Sequence, residues 1–420
     1  MQNQQNKLIR NGPAGNTPLS AAAPIDAYPL VFTGSGGSFA RLWLANLVRK
    51  IFTLGMYQPW ARRRVAMYLH GHTLVADSPL EFTASQRRMT KGFLIFVVLY
   101  LAYKLAVGTG QTLAAGLFLF GGALLAPLLW TQAMRFRLSS TRWRGIQIRF
   151  SARWLDIYRA SWPMLALALL WLGVVRALTW LMGNPGPATT TDALRHTVEQ
   201  VWPSGLAVVV LALVLSFMCL VRLEYNYRNL LVKFTQVGGH GGRWRPHYGD
   251  FVRIWIGTGA LLLGGALLVG LLGVGLAQWL MPHGGGHGMT GGRAFVLGLL
   301  SVLTFLLALL AGLSPARAYR EARLFRLTWN HAGLGQVARF KCRLNVRAYV
   351  FLRIRNLLLT LLTLGFYRPF GLVAEYRMKI ESLTLYVKGG LDQLVDRLQQ
   401  DQPDGLGDAL ADAVGMDMLG

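Results

Sequence analysis

Few residues in this sequence are of a type and spacing that could do chemistry. Lys104 and Arg176 interrupt apolar runs, and a cation at a bilayer centre costs about 2.5–3.5 kcal/mol on insertion scales. Each lies one to two turns from the expected outer end of its run, so a long aliphatic stem can carry the charge to the headgroups. The functional alternative is an outward-facing site for an anion or a lipid headgroup. His283 and His287 in "HGGGHG", with His240 upstream, lack a third ligand of fixed geometry, and no metal site is expected. "FTGSGGSF" (32–39) shares only its glycines with a phosphate loop, because the Gly-Lys-Ser/Thr ending is missing. Cys219 and Cys342 form no CxxC and read as reduced thiols. No Ser/His/Asp or Cys/His grouping stands out. The chain is expected to be no enzyme, with no catalytic residue and no cofactor.

The elements that must position any site are membrane helices. Of 420 residues, 53% are hydrophobic and only 15% charged, against roughly 25% charged in a soluble domain. A span needs about 20 apolar residues. Six segments qualify: 92–108, 112–134, 160–182, 202–221, 254–281 and 294–313. The connecting segments alternate between basic and nearly uncharged. Arg135, Arg137, Arg142, Arg144 and Arg149 crowd one connection, whereas "VGTGQT" before it has neither Lys nor Arg. The positive-inside rule then places every basic segment and both termini in the cytoplasm and pairs the helices as three hairpins. The net charge of +25 is accounted for by topology and by lipid phosphate, so membrane lipids are expected partners and nucleic acid is not. In the fifth segment, Ala260-xxx-Gly264 and Ala266-xxx-Gly270 would allow close helix contact.

"TLGMYQP" (53–59) returns as "TLGFYRP" (363–369), with Thr53, Leu54, Gly55, Tyr57 and Pro59 matched by Thr363, Leu364, Gly365, Tyr367 and Pro369, and Trp60 by Phe370. The helix before each copy is short or amphipathic, which suits an interfacial or re-entrant helix. Each proline is expected to end its helix and turn the chain out. The unit is longer than the phrase: Pro59, Thr73, Phe82 and Pro127, Thr141, Phe150 keep one spacing, with looser copies from Pro315 through Thr328 and Phe340 and from Pro369 through Thr384. After each threonine a period-two stretch reads as a short β-hairpin, and four or five of these could form one sheet-like layer.

"FTGSGGSF", "TLGMYQPWARRR", the Thr-to-Phe spacing and "TLGFYRPF" together resemble the YjgN-type family of bacterial inner-membrane proteins, whose domain is of unknown function. The resemblance covers roughly residues 31–390. It implies a polytopic inner-membrane location and no established activity. Arg49 and Lys50 stand where that family's signature helix is more apolar, and "GLVAEYR" replaces the basic run after the second proline. The expected fold is therefore a mainly α, polytopic membrane protein with short cytoplasmic β-hairpins. Its expected divisions are a 1–30 tail, a 31–390 membrane domain and an acidic 391–420 tail. A transporter or channel for a small solute or lipid ranks first. A non-catalytic scaffold or sensor, presenting cytoplasmic β-elements to a partner or to anionic lipid, ranks second.

Overall fold

The computed structural model describes residues 25–182, 191–280 and 291–400. Its plan is one unit used five times: a strand, a helix, a second helix and a return strand. In order these are β2 (Val31–Phe32), α1 (Gly36–Phe52), α2 (Gln58–Gly71) and β3 (Thr73–Val75); β4 (Ser78–Phe82), α3 (Gln86–Gly108), α4 (Thr112–Ser139) and β5 (Thr141–Trp143); β6 (Ile146–Phe150), α5 (Trp154–Met182), α6 (Thr191–Lys233) and β7 (Thr235–Val237); β8 (His240–Trp244), α7 (Tyr248–Leu280), α8 (Gly291–His331) and β9 (Ala332–Leu334); β10 (Ala338–Cys342), α9 (Val346–Leu362), α10 (Arg368–Glu381) and β11 (Leu383–Lys388). Strand β1 (Ile25–Pro29) precedes the first unit and helix α11 (Leu391–Gln400) follows the last.

All strands pair antiparallel. Within units, Val31 pairs with Leu74, Leu80 with Trp143, Ile148 with Val237, Gly242 with Leu334 and Phe340 with Leu385. Between units, tight hairpins join β3 to β4, β5 to β6, β7 to β8 and β9 to β10. The sheet runs from β1 through β11 down to β2. Its two ends, β1 and β2, are consecutive in the chain and separated only by Leu30, whose N–H donates to the Leu383 carbonyl at 3.0 Å. Together they act as one strand that pairs with β11 on one side and β3 on the other. The ladder therefore closes into a ring of ten strand positions, which leaves no free edge.

Local chemistry explains the repeated letters. Thr73 and Thr141 open return strands, and their hydroxyls donate to the carbonyls of Leu69 (2.7 Å) and Arg137 (3.1 Å), closing the last helical turn. Thr235 does the same toward Leu231. One further bond recurs in four units: the residue after the outgoing strand donates to the carbonyl that ends the second helix, at 2.9 Å (Thr33 to His72), 2.8 Å (Thr83 to Ser140), 3.0 Å (Ser151 to Phe234) and 2.8 Å (Arg343 to Ser382). The two looser copies were out of register. Thr328 lies inside α8, four residues before β9, and Thr384 is the second residue of β11 rather than its first. In those two units the return strand opens on Ala332 and Leu383 instead of a threonine, so the nearest threonine in the sequence marks the wrong position.

Among the described residues, five helices are long and apolar enough to cross a membrane: Gln86–Gly108, Thr112–Ser139, Trp154–Leu181, Trp202–Lys233 and Tyr248–Gly275. The sixth expected segment, 294–313, lies within α8, and its side chains other than those of Leu299, Ser301 and Leu313, with Gly298, fall outside the described residues. The helices run on past their apolar parts, because the same helix carries the basic and aromatic residues down to the ring. Two expected boundaries move. Residues 25–29, placed in the N-terminal tail, form β1, and 391–400, placed in the acidic tail, form α11. The Ala260–Gly264 and Ala266–Gly270 pairs of α7 are exposed, and a methyl at Gly264 or Gly270 would meet open space, whereas Gly257 of the same helix sits under the Tyr319 hydroxyl.

Candidate functional site

The two signature phrases build the same connector between paired helices. Thr53 Oγ1 accepts from the Tyr57 N–H (3.0 Å) and donates to the Arg49 carbonyl (2.7 Å); Thr363 repeats both bonds with Tyr367 (2.9 Å) and Leu359 (2.7 Å). Gly55 (φ +90) and Gly365 (φ +98) reach back to the carbonyls of Lys50 (2.8 Å) and Thr360 (2.7 Å), a turn that needs the left-handed region. Leu54 and Leu364 share that region at φ 48 and 51. Pro59 and Pro369 do not end helices. They sit in the first turn of α2 and α10, where a missing N–H costs nothing. Tyr57 stacks on Trp60 at 6.0 Å between ring centroids, and Tyr367 on Phe370 at 5.8 Å.

Because the ring closes, the first and fifth helix pairs are neighbours: α1 packs on α10, and a methyl at Gly36 would run into the Phe370 ring. Lys50 is held below the ordinary lysine range by burial first, then by the charges of Arg62 and Arg368, so the surroundings of both phrases contribute cations to one region. The apolar connector tips project outward, with Leu54 94% and Leu364 91% exposed. "FTGSGGSF" has a structural role here. Ser35 Oγ caps α1 by accepting from the Ser38 N–H at 3.2 Å, and the Tyr68 hydroxyl bonds Ser35 N (3.0 Å) and Ser38 Oγ (2.5 Å).

An offset of 310 residues relates the two halves of this pair, and their chemistry differs. Tyr349, Arg353, Asn356 and Glu375 stand where Phe39, Trp43, Asn46 and Val65 stand in the first copy. Arg353 pairs with buried Glu375 and reaches Glu321 of α8 at 3.8 Å. Lys379 meets Glu321 at 2.6 Å, the buried Tyr349 hydroxyl donates to Glu321 at 3.1 Å, and Asn356 Nδ2 donates to Glu375 at 3.1 Å. In the first copy Asn46 is equally buried, and its amide has no hydrogen-bond partner among the described residues. The sequence placed Glu321 and Glu375 in cytoplasmic segments; nothing in it signalled that both would meet Arg353. Glu224 does similar work, accepting from Arg228 (3.2 Å) and Trp255 (2.7 Å) to tie α6 to α7.

Burial pushes the Glu321 carboxyl up, but the hydrogen bond and charge of Lys379, then Arg353 and the Tyr349 hydroxyl, outweigh it and hold the group below the usual carboxylate range. A lowered folded-state value means stability that is complete above the ordinary carboxylate range and is lost as pH falls through the folded value. Thermal unfolding in detergent, stepped from about pH 6 to pH 3, is expected to show that loss, and Glu321→Gln to flatten it. Glu375→Gln leaves Arg353 short of a charged acceptor and is expected to cost roughly 1.5–3 kcal/mol at pH 7.

The other end of the ring is crossed by α11. This helix touches β6 and β11, which are five positions apart either way round the ten-strand ring, so it spans the opening. Leu394, Val395 and Leu398 are buried in one cluster with Leu30, Ala76, Trp143, Ile146, Ala338, Leu385 and Val387. Gln399 donates to the Arg144 carbonyl at 3.3 Å at the β5–β6 turn.

Lys104 and Arg176 are on separate helices, α3 and α5, with both side chains exposed; the Lys104 ammonium lies 6.0 Å from the Tyr100 ring centroid. His283 and His287 fall outside the described residues. His240 lies in β8 with Nδ1 3.2 Å from the Gly238 carbonyl. Among the described residues no three His, Cys, Asp or Glu side chains group as metal ligands.

A family model described as "Bacterial protein of unknown function (DUF898)" matches residues 27–413. Among curated proteins, inner membrane protein YjgN of Salmonella typhimurium is 26% identical over 144 residues, 34% of this chain and 35% of that protein. Its namesake in Escherichia coli O157:H7 is 20% identical over 151 residues, 36% of this chain and 38% of that protein. The matched stretch thus spans little more than a third of either relative. No solved structure matches.

Proposed function

The chain belongs to this bacterial family of unknown function, and from that premise we propose that it is a multi-pass inner-membrane protein acting as a non-catalytic scaffold or sensor, with the strand ring as its working surface. Six apolar segments cross the bilayer as three hairpins, and the shorter first and fifth helix pairs lie in the cytoplasmic leaflet with their apolar connector tips toward lipid. At 1.5 Å per residue a 17-residue helix reaches about 25 Å, short of the roughly 30 Å hydrocarbon core, and α1 and α9 each have 17 residues. Both relatives carry the name inner membrane protein, and the basic segments flank the strands, which favours a cytoplasmic ring.

The observation that carries the reading is ring closure. The threonines and the outgoing-strand hydrogen bond that recur along the chain serve the ring and its junctions with the helices, while the doubled phrase serves only the connectors of the first and fifth helix pairs. A membrane protein that repeats its cytoplasmic joint five times has its common requirement there. Photo-crosslinkers placed one at a time on the outer ring surface and at matched positions on the lipid-exposed helices test it. Crosslinks to a discrete protein or to anionic lipid concentrated on the ring support the scaffold. Crosslinks spread evenly over both sets count against it.

A second reading, transport of a small solute or lipid, is favoured by α11, which crosses the ring opening where a gate would stand. It also gives Lys104 and Arg176 a role at an outer anion entrance. Flux into proteoliposomes across a broad solute panel, with and without α11, decides between the two; no flux in either form counts heavily against transport.

A further inference from the structure

On the outer face of the ring, beside the fifth unit, lies a cleft of about 1070 Å³ between the lower part of α8, strand β10 and the start of α9. That volume is at the upper end of small-molecule sites. Its walls are basic by pattern. Arg323 and Arg326 stand three residues apart on α8, on one helical face. Arg339, Lys341 and Arg343 alternate along and just past β10 with Ala338, Cys342 and Leu344, which are buried toward the ring interior. Arg347 and Lys388 complete the lining, and no Asp or Glu contributes to it. Among the described residues, none of these seven cations forms an ion pair. The contrast lies one helix face away, where Arg353 and Lys379 are matched by Glu375 and Glu321. Carboxylates are thus available on α8 and α10, and they are used elsewhere. The amino end of α9 opens into the same cleft, adding the positive end of a 17-residue helix dipole.

Seven like charges around one concavity repel one another, and an anion with several oxygens relieves that cost. Guanidinium groups pair phosphate oxygens two at a time, and five of the seven are arginines. We infer that this cleft binds a phosphate-bearing anion, either a soluble phosphorylated compound or an anionic phospholipid headgroup. The site rests on the scaffold or sensor reading above, for which it supplies the ligand class.

The test uses the full chain in detergent, titrated calorimetrically with inorganic tripolyphosphate, and the full chain in nanodiscs of phosphatidylcholine with or without phosphatidylglycerol. Three double variants accompany it: Arg339→Gln/Arg343→Gln in the cleft, Arg339→Lys/Arg343→Lys to keep the charge, and Arg137→Gln/Arg142→Gln as an equally basic control elsewhere. Saturable tripolyphosphate binding that weakens by at least ~10-fold in the glutamine cleft variant, less in the lysine variant and not in the control, supports the site with a soluble ligand. Protection of the cleft arginines from phenylglyoxal only in phosphatidylglycerol discs supports it with a lipid ligand. Equal weakening in the cleft and control variants, or neither binding nor protection, overturns it. That outcome leaves the crosslinking result for the ring untouched, so the two readings fail separately.

Discussion

Leu398→Asp is expected to lower the unfolding free energy of the strand ring by about 4 kcal/mol or more, the range for a charge placed unpaired in a packed apolar site. Leu398 is 1% exposed, and it shares its cluster with residues from β1–β2 round to β11. The helix that carries it is only ten residues long, so it cannot hold its fold away from that cluster. Aspartate at 398 therefore releases the whole helix. Asp392→Ala is the contrast, because that side chain is 96% exposed and sits 3.9 Å from Arg144; it should leave the melting curve where it was. Thermal unfolding in detergent and the fluorescence of buried Trp143 read both variants. If Leu398→Asp melts like the unaltered chain, α11 does not seal the ring.

Gly242→Ala is expected to be strongly destabilising, costing about 3 kcal/mol, at the upper end of overpacking. Gly242 lies in β8 opposite Leu334, and a Cβ there would overlap the Val232 carbonyl at the end of α6. That obstacle is backbone held by the helix, so no rotamer change relieves it. Gly116→Ala on α4, where a methyl meets open space, is expected to be neutral or to stabilise by up to ~1 kcal/mol through helix propensity. Comparing the two melting curves separates a steric requirement from a general intolerance of change.

Much of this was legible in the sequence where a period or a landmark carried it. Five of the apolar segments, the Pro-Thr-Phe spacing of the first two units and the doubled TLG-x-Y-x-P phrase each gave an element or a joint that the fold contains. Ring closure was not legible. It depends on Ile25–Pro29, a strand in a stretch whose Pro, Gly and Ala content reads as a tail, pairing with residues some 360 positions away. Antiparallel pairing at that separation leaves no local signal. The acidic look of the C-terminus likewise hid α11, whose Leu391, Leu394, Val395 and Leu398 stripe is short and diluted by Asp392 and Asp396. The proline role was misread because a proline after a Gly-Tyr turn looks the same whether it ends one helix or begins the next; the connector geometry decides for the latter. The cleft is a tertiary product, since its cations come from α8, β10, α9 and β11, and only folding gathers them.

Ring closure itself is open to one direct measurement. Cysteines are placed as Ala27→Cys with Tyr386→Cys and as Val31→Cys with Leu74→Cys, pairs that face each other across the two seams, in a chain with Cys219→Ser and Cys342→Ala. A short bismaleimide is added in membranes, and the digested protein is read by mass spectrometry. A closed ring predicts that both crosslinks form within the same molecule, since residues 25–32 act as a single strand shared by the two seams. Formation of only one, or of either solely between two copies of the chain, would contradict closure.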